Sequence, residues 1–230
     1  MTGSITRPHP PLPPPPAAPK KAPAWGGMKE GRALPAPNPA NVRDLGPVDA
    51  AALRERVLAV SERTWSGEDA LKENNFTVFH HTRHIVFRFT PGNRDPEDSY
   101  DNPAWHVWRP LLQPVMDAAI APYGFADPAF PKAMLARLQA GQRIDLHRDG
   151  AGSNLRTHKI HVPLITNPGA FFLCGPNRHH LGYGRAWEVN NIAPHGGVNE
   201  GDADRIHFIF EVFDRAATED APGTATASAA

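Results

Sequence analysis

The chain holds one cysteine, Cys174, in 230 residues, which excludes an intrachain disulfide framework and a Cys-based zinc site. No apolar run approaches the ~20 residues of a membrane span, and the N-terminal stretch lacks the apolar core of a secretory signal. Neither sign of charge is in excess. Lys+Arg and Asp+Glu number 24 each, so no overall charge argues for nucleic acid or an anionic membrane. A hydrophobic fraction of 40% and a charged fraction of 21% suit one globular domain of ordinary size with tails. These exclusions lead to the expectation of a soluble, cytoplasmic protein whose partner is a small molecule or short peptide.

Proline, by contrast, is plentiful and unevenly placed. Thirteen of the 26 prolines precede Val48, with Pro13 to Pro16 in a row. Proline removes backbone donors and favours extended, solvated chain, so residues 1–45 are expected to form a tail outside the core. The Ala- and Thr-rich residues 216–230 read as a second tail. The folded part is then expected over 46–215.

Within it, Ala52, Leu53, Val57, Leu58 and Val60 mark one apolar face of a helix that Asp49 could cap. Phe76 to Phe89 carries β-formers and reads as strand, with His80, His81, Arg83 and His84 as a polar face or a substrate contact. Thr90 to Asn102 is a polar loop that could cover a site. Trp105 to Tyr123 reads as a helix broken or restarted near Pro110 and Pro114, with Pro128 and Pro131 closing the helical layer. From Ala133 the period becomes two. Strands are expected over 134–138, 143–148, 159–166, 170–174, 186–192 and 205–213, a spacing that implies a sandwich or barrel.

The chemistry concentrates in R-I-D-L-H-R-D-G, where His147 and Asp149 stand two apart. On extended chain such residues share a face, so one imidazole and one carboxylate can bind one cation. His195 follows 46 residues after Asp149 and could complete a facial set of two imidazoles and one carboxylate, a ligand set that favours non-haem Fe(II) with open coordination positions. Arg205, ten residues further on, offers a planar fork for a carboxylate. A surface salt bridge to Asp202 or Asp204 is the duller role for the same residue.

H-R-D, then H-K-I-H-V-P-L-I-T-N, then G-R-A-W-E-V-N-N-I-A-P-H and finally Arg205, in this order, resembles the aspartyl/asparaginyl β-hydroxylase family. The likeness spans roughly residues 76–214 and is densest from Leu138. It implies a mainly β, double-stranded β-helix (jelly roll) with flanking N-terminal helices. It also implies an Fe(II)- and 2-oxoglutarate-dependent dioxygenase that uses O2 to hydroxylate an unactivated C–H of an amino acid or peptide-like substrate. In that case His147, Asp149 and His195 hold the metal, Arg205 grips the far carboxylate of 2-oxoglutarate, and His161 and Lys159 assist it. Trp187 falls to packing and Asn190 to a supporting hydrogen bond. Arg83, Arg156, His158 and His207 are candidates to meet substrate. Two other classes compete: a cupin-like metal enzyme that does not use 2-oxoglutarate, and a jelly-roll binding module without catalysis.

Overall fold

The computed structural model describes residues 38–73, 76–150 and 152–218. In chain order these form β1 (Val42–Pro47), α1 (Ala51–Leu58), α2 (Glu62–Leu71), β2 (Thr82–Phe89), β3 (Tyr100–Asp101), α3 (Pro103–Ile120), β4 (Pro128–Leu138) and β5 (Arg143–His147). They continue with β6 (His158–Ile165), β7 (Ala170–Cys174), β8 (Asn177–His179), β9 (Arg185–Val189), β10 (His195–Asn199) and β11 (Arg205–Asp214). A seven-stranded sheet runs β1-β9-β6-β11-β4-β2-β3, and a four-stranded sheet runs β5-β10-β7-β8. Every pairing is antiparallel. The chain is mainly β, with two sheets and N-terminal helices, the double-stranded β-helix class expected from the sequence.

Strand alternation assigns the two faces of the large sheet. Ile160, Val162 and Leu164 of β6 join Ile206, Phe208, Phe210 and Val212 of β11 in one core with Leu53 and Val57 of α1, Trp65 of α2 and Leu112 and Met116 of α3. Each large side chain buried there contributes about 1.5–3 kcal/mol. The helices therefore cover this face. The alternate residues Lys159, His161, Arg205 and His207 are left facing the small sheet, where His161 lies edge-on to Phe172 of β7 at 5.7 Å between centroids.

Several expectations are corrected. Residues 42–45 belong to β1, which pairs with β9 and ties Arg43 to Glu188, so they are not part of a tail. Residues 1–37 and 219–230 lie outside the described residues. Helix α2 has no apolar stripe to betray it, since Trp65 is its single buried residue; its start is set by Ser61, whose Oγ accepts the Thr64 N–H at 3.2 Å. Thr77–Phe79 is a 3-10 turn, and strand begins only at Thr82. Helix α3 runs unbroken through Pro110 and Pro114. Both prolines are exposed, on the solvent side, where the carbonyls they leave unpaired can meet water. Pro128 and Pro131 stand in β4, the latter at the irregularity opposite Glu211–Phe213 where a ladder donor is not required. Among the described residues no helix is long and apolar enough to cross a membrane.

Candidate active site

The site lies between the sheets. His195 on β10 is paired with His147 on β5 on one side and with Cys174 on β7 on the other, so both imidazoles project from the same face of the small sheet. β10 can lie this close to β5 because it carries Gly196. A Cβ there would meet the Ile144 carbonyl oxygen at 2.6 Å. The His147 and His195 ring centroids are 4.3 Å apart. Asp149 follows β5, and its N–H donates to the Asn191 carbonyl at 3.0 Å. Its Oδ1 lies 3.4 Å from His147 Nε2 and 3.8 Å from His195 Nε2.

The donor set suits a metal. His147 Nδ1 is 2.8 Å from the Asp145 carbonyl oxygen and His195 Nδ1 is 3.1 Å from that of Ala193. A carbonyl can only accept, so both Nδ1 atoms carry the proton and both Nε2 lone pairs turn toward Asp149. Burial pushes His195 down to about 4, against the pull of Asp149, so it is neutral near neutral pH, as a metal ligand must be. Desolvation alone would raise the Asp149 carboxyl. The Lys159 ammonium, aided by His147 and His195, overrides it and holds the group well below the usual carboxylate range. Among the described residues these three are the one group of His, Cys, Asp or Glu whose ligand atoms, within 4.8 Å of one another, could hold a metal ion.

Arg205 occupies the other end of the same face. It is 3% exposed, its Nε has no hydrogen-bond partner, and burial alone pushes the guanidinium down to about 10. No carboxylate among the described residues pairs with it. Its neighbours are neutral donors: His161 and His207, both buried, with Nδ1 atoms 3.2 Å apart, are held well below their usual range by desolvation and then by Arg205 itself. Across the gap stands Gly197, where a Cβ would lie 3.5 Å from Arg205 Nη1, so space is kept open over the guanidinium. Phe172 bridges the two ends, stacked on His195 at 5.8 Å and edge-on to His161. On the outer side Phe79 packs edge-on to His147 at 5.4 Å and to His84 at 5.7 Å.

The remaining candidates divide. Lys159 is in the site but salt-bridged to Asp149, with Glu211 Oε1 at 3.7 Å. Arg83 is not in the site: it projects to α2 and pairs with Glu62 at 2.8 Å. His158 is not there either. It is buried on the helix-covered face, bonded to Glu188 at 2.6 Å and packed on Tyr123 at 4.8 Å, because β6 alternation turns it away from His161's neighbours on the small sheet. Arg156 binds Asp95 at 2.9 Å and Glu97 at 3.2 Å, clasping the 90–99 segment to the loop after Asp149. His84 is buried against Asp69, and His80 turns back onto the Thr77 carbonyl. Trp187 packs with Phe172 and Cys174, as expected. Asn190 shapes the turn before His195 by accepting from Ile192 and Ala193. The asparagine that touches Asp149 is Asn191, with Nδ2 3.3 Å from Oδ2. Sequence reasoning passed over Asn191, Phe172, Gly197, Glu211 and Phe79. Only Gly197, in a glycine pair within two residues of a ligand candidate, carried a local signal.

The two-sheet β fold thus brings a His-Asp-His group that could hold a metal ion and the buried Arg205 onto one face of the gap between its sheets. Residues 118–215 match the family model described as Aspartyl/Asparaginyl beta-hydroxylase. The matched model is that of a hydroxylase family, and the His-Asp-His group is in keeping with it. No curated protein matches the chain. Among solved structures it is similar to an oxidoreductase of the 2OG-Fe(II) oxygenase family from Burkholderia pseudomallei, at 16% identity over 72% of this chain and 88% of that one, TM-score 0.46. It is also similar to the viral collagen prolyl hydroxylase of Paramecium Bursaria Chlorella virus-1, at 10% identity over 76% of this chain and 96% of that one, TM-score 0.46.

Proposed function

We propose that the chain is an Fe(II)- and 2-oxoglutarate-dependent dioxygenase in which His147, Asp149 and His195 hold iron and Arg205 holds the far carboxylate of 2-oxoglutarate. The observation that carries this reading is Arg205. A buried guanidinium without an anion is costly, and the natural remedy is a ligand carboxylate taken by its fork. A cupin-like enzyme without 2-oxoglutarate needs no carboxylate fork at this place. His161 and His207 are assigned to the same anion pocket, as neutral N–H donors beside the guanidinium.

Bound iron and cosubstrate supply the oxidising power needed to break an unactivated C–H bond. The chain's own residues orient and seclude. Gly197 leaves room for the cosubstrate, Phe172 lines the pocket from His195 to His161, and Phe79 closes the outer side beside His147. The substrate is an amino acid or peptide-like molecule. Arg83 and His158 play no part in receiving it. The test is to incubate the protein with Fe(II), ascorbate, 2-oxoglutarate and a panel of amino acids and short Asp- and Asn-containing peptides. A gain of one oxygen in one of them, with matching succinate, supports the proposal. Turnover of a panel member that is independent of 2-oxoglutarate would transfer the chain to the cupin-like class.

A further inference from the structure

Beneath Asp149 runs a row of buried charges that metal ligation alone does not explain. Lys132 on β4, Glu211 on β11 and Lys159 on β6 stand side by side in register across the large sheet. Glu211 is gripped by Lys132 Nζ, 3.2 Å from Oε1 and 3.1 Å from Oε2, and by Thr157 Oγ1 at 3.1 Å. Lys132 also donates to Asn154 Oδ1 at 2.9 Å, which anchors the loop after Asp149 from below. The Lys159 ammonium lies between Glu211 and Asp149 and is bonded to Oδ2 of the latter. Signs alternate along the row, and the Lys132 and Glu211 side chains are 5% and 2% exposed. Ions so buried hold their places only when paired and hydrogen-bonded.

The two oxygens of Asp149 consequently have separate duties. Oδ2 is taken by Lys159 Nζ and by Asn191 Nδ2. Oδ1 alone faces the two Nε2 atoms. We propose that Lys159, fixed by Glu211 and Lys132, is a positioning residue that confines Asp149 to binding the metal through one oxygen. This rests on the metal site proposed above. On a six-coordinate ion, one-oxygen binding would leave three positions open instead of two. Were two of them taken by a chelating ligand, the third would remain only while Oδ2 is kept away from the metal. The role differs from the cosubstrate contact that the family resemblance implies for Lys159.

The inference can be tested with Mn(II), without turnover, on the full chain. Water-proton relaxation counts exchangeable waters on the bound ion, and a titration gives its Kd. Wild type should show about three waters. Lys159→Met should lose about one water and bind Mn(II) severalfold more tightly, since the whole carboxylate charge then reaches the metal. Mere structural damage would weaken binding instead. Lys159→Arg should restore the wild-type count, and the isosteric Glu211→Gln should shift toward Lys159→Met. If Lys159→Met does not fold, Glu211→Gln and Asn191→Ala are judged by the same criterion. An unchanged water count and Kd in the folded variants overturns the inference, and so does a loss of 2-oxoglutarate affinity without change in water count. Failure of wild type to bind Mn(II) at all would instead remove the metal site itself.

Discussion

Asp204 and Arg205 are adjacent in sequence, yet the carboxylate of one does not neutralise the guanidinium of the other. Asp204 accepts from Arg137 Nε and, at 2.9 Å, from the Ala140 N–H, while Arg205 is buried between the sheets with an unpartnered Nε. Surface ion pairing is therefore not what Arg205 is for.

A first prediction follows from that separation. Arg205→Ala should raise the 2-oxoglutarate KM by a factor equivalent to about 2–4 kcal/mol, and Arg205→Lys should recover part of it. Arg205→Met, which removes a buried unpaired charge, should leave the ligand-free protein at least as stable as wild type in thermal melts. A large fall in Tm would mean that Arg205 is structural.

The second concerns the space over the guanidinium. Gly197→Ala meets only ordinary contacts, the nearest at 3.5 Å, and should be tolerated. Gly197→Leu should fill the pocket and raise the 2-oxoglutarate KM steeply while leaving Mn(II) affinity close to wild type. Equal KM values in the two variants would move the cosubstrate elsewhere.

His158 supplies a third. Because it is bonded to Glu188 on the helix-covered face, His158→Ala should cost about 1–3 kcal/mol of stability, measured by denaturant titration. The folded variant should keep its KM for 2-oxoglutarate and for substrate. A selective rise in substrate KM would contradict the placement.

The fourth is a pH dependence. Asp69 accepts the His84 N–H at 2.8 Å and Lys72 Nζ at 2.7 Å. Burial would raise its carboxyl, but His84 and Lys72 together hold it far below the usual range. A depressed folded-state pKa contributes stability above the unfolded value of about 4, lost as pH falls toward the folded one. Asp69→Asn should therefore destabilise by about 1–2 kcal/mol at pH 7, and the gap to wild type should narrow below about pH 4. A pH-independent gap would show that the charge is immaterial.

Much of this site was legible in the chain because period-two alternation is a strong constraint. In Lys159–Leu164 and Arg205–Phe210 the apolar set and the polar set each fell on one face, and the structure keeps that division. His147, Asp149 and His195 were legible through spacing and residue type. The strand carrying His195 was not, because H-G-G-V-N has no β-formers besides Val198 and is held by its neighbours β5 and β7. Helix α2 was missed because a polar helix with one buried tryptophan shows no period. Arg83 and His158 looked like site residues because they are cationic or imidazole groups close to the expected mouth. One step along a strand, however, turns a side chain to the opposite face. Glu211 and Lys132 could not be connected to Asp149 from sequence, since register across three strands brings them together.

The central claim is that one face of the inter-sheet gap joins a two-histidine, one-carboxylate metal site to an arginine for 2-oxoglutarate. Succinate released from 2-oxoglutarate with Fe(II) and ascorbate tests it most directly, with wild type, His195→Ala and Arg205→Ala assayed side by side. The account predicts steady release by wild type, none by His195→Ala, and release by Arg205→Ala only at much higher 2-oxoglutarate. Equal succinate from all three folded proteins would contradict it.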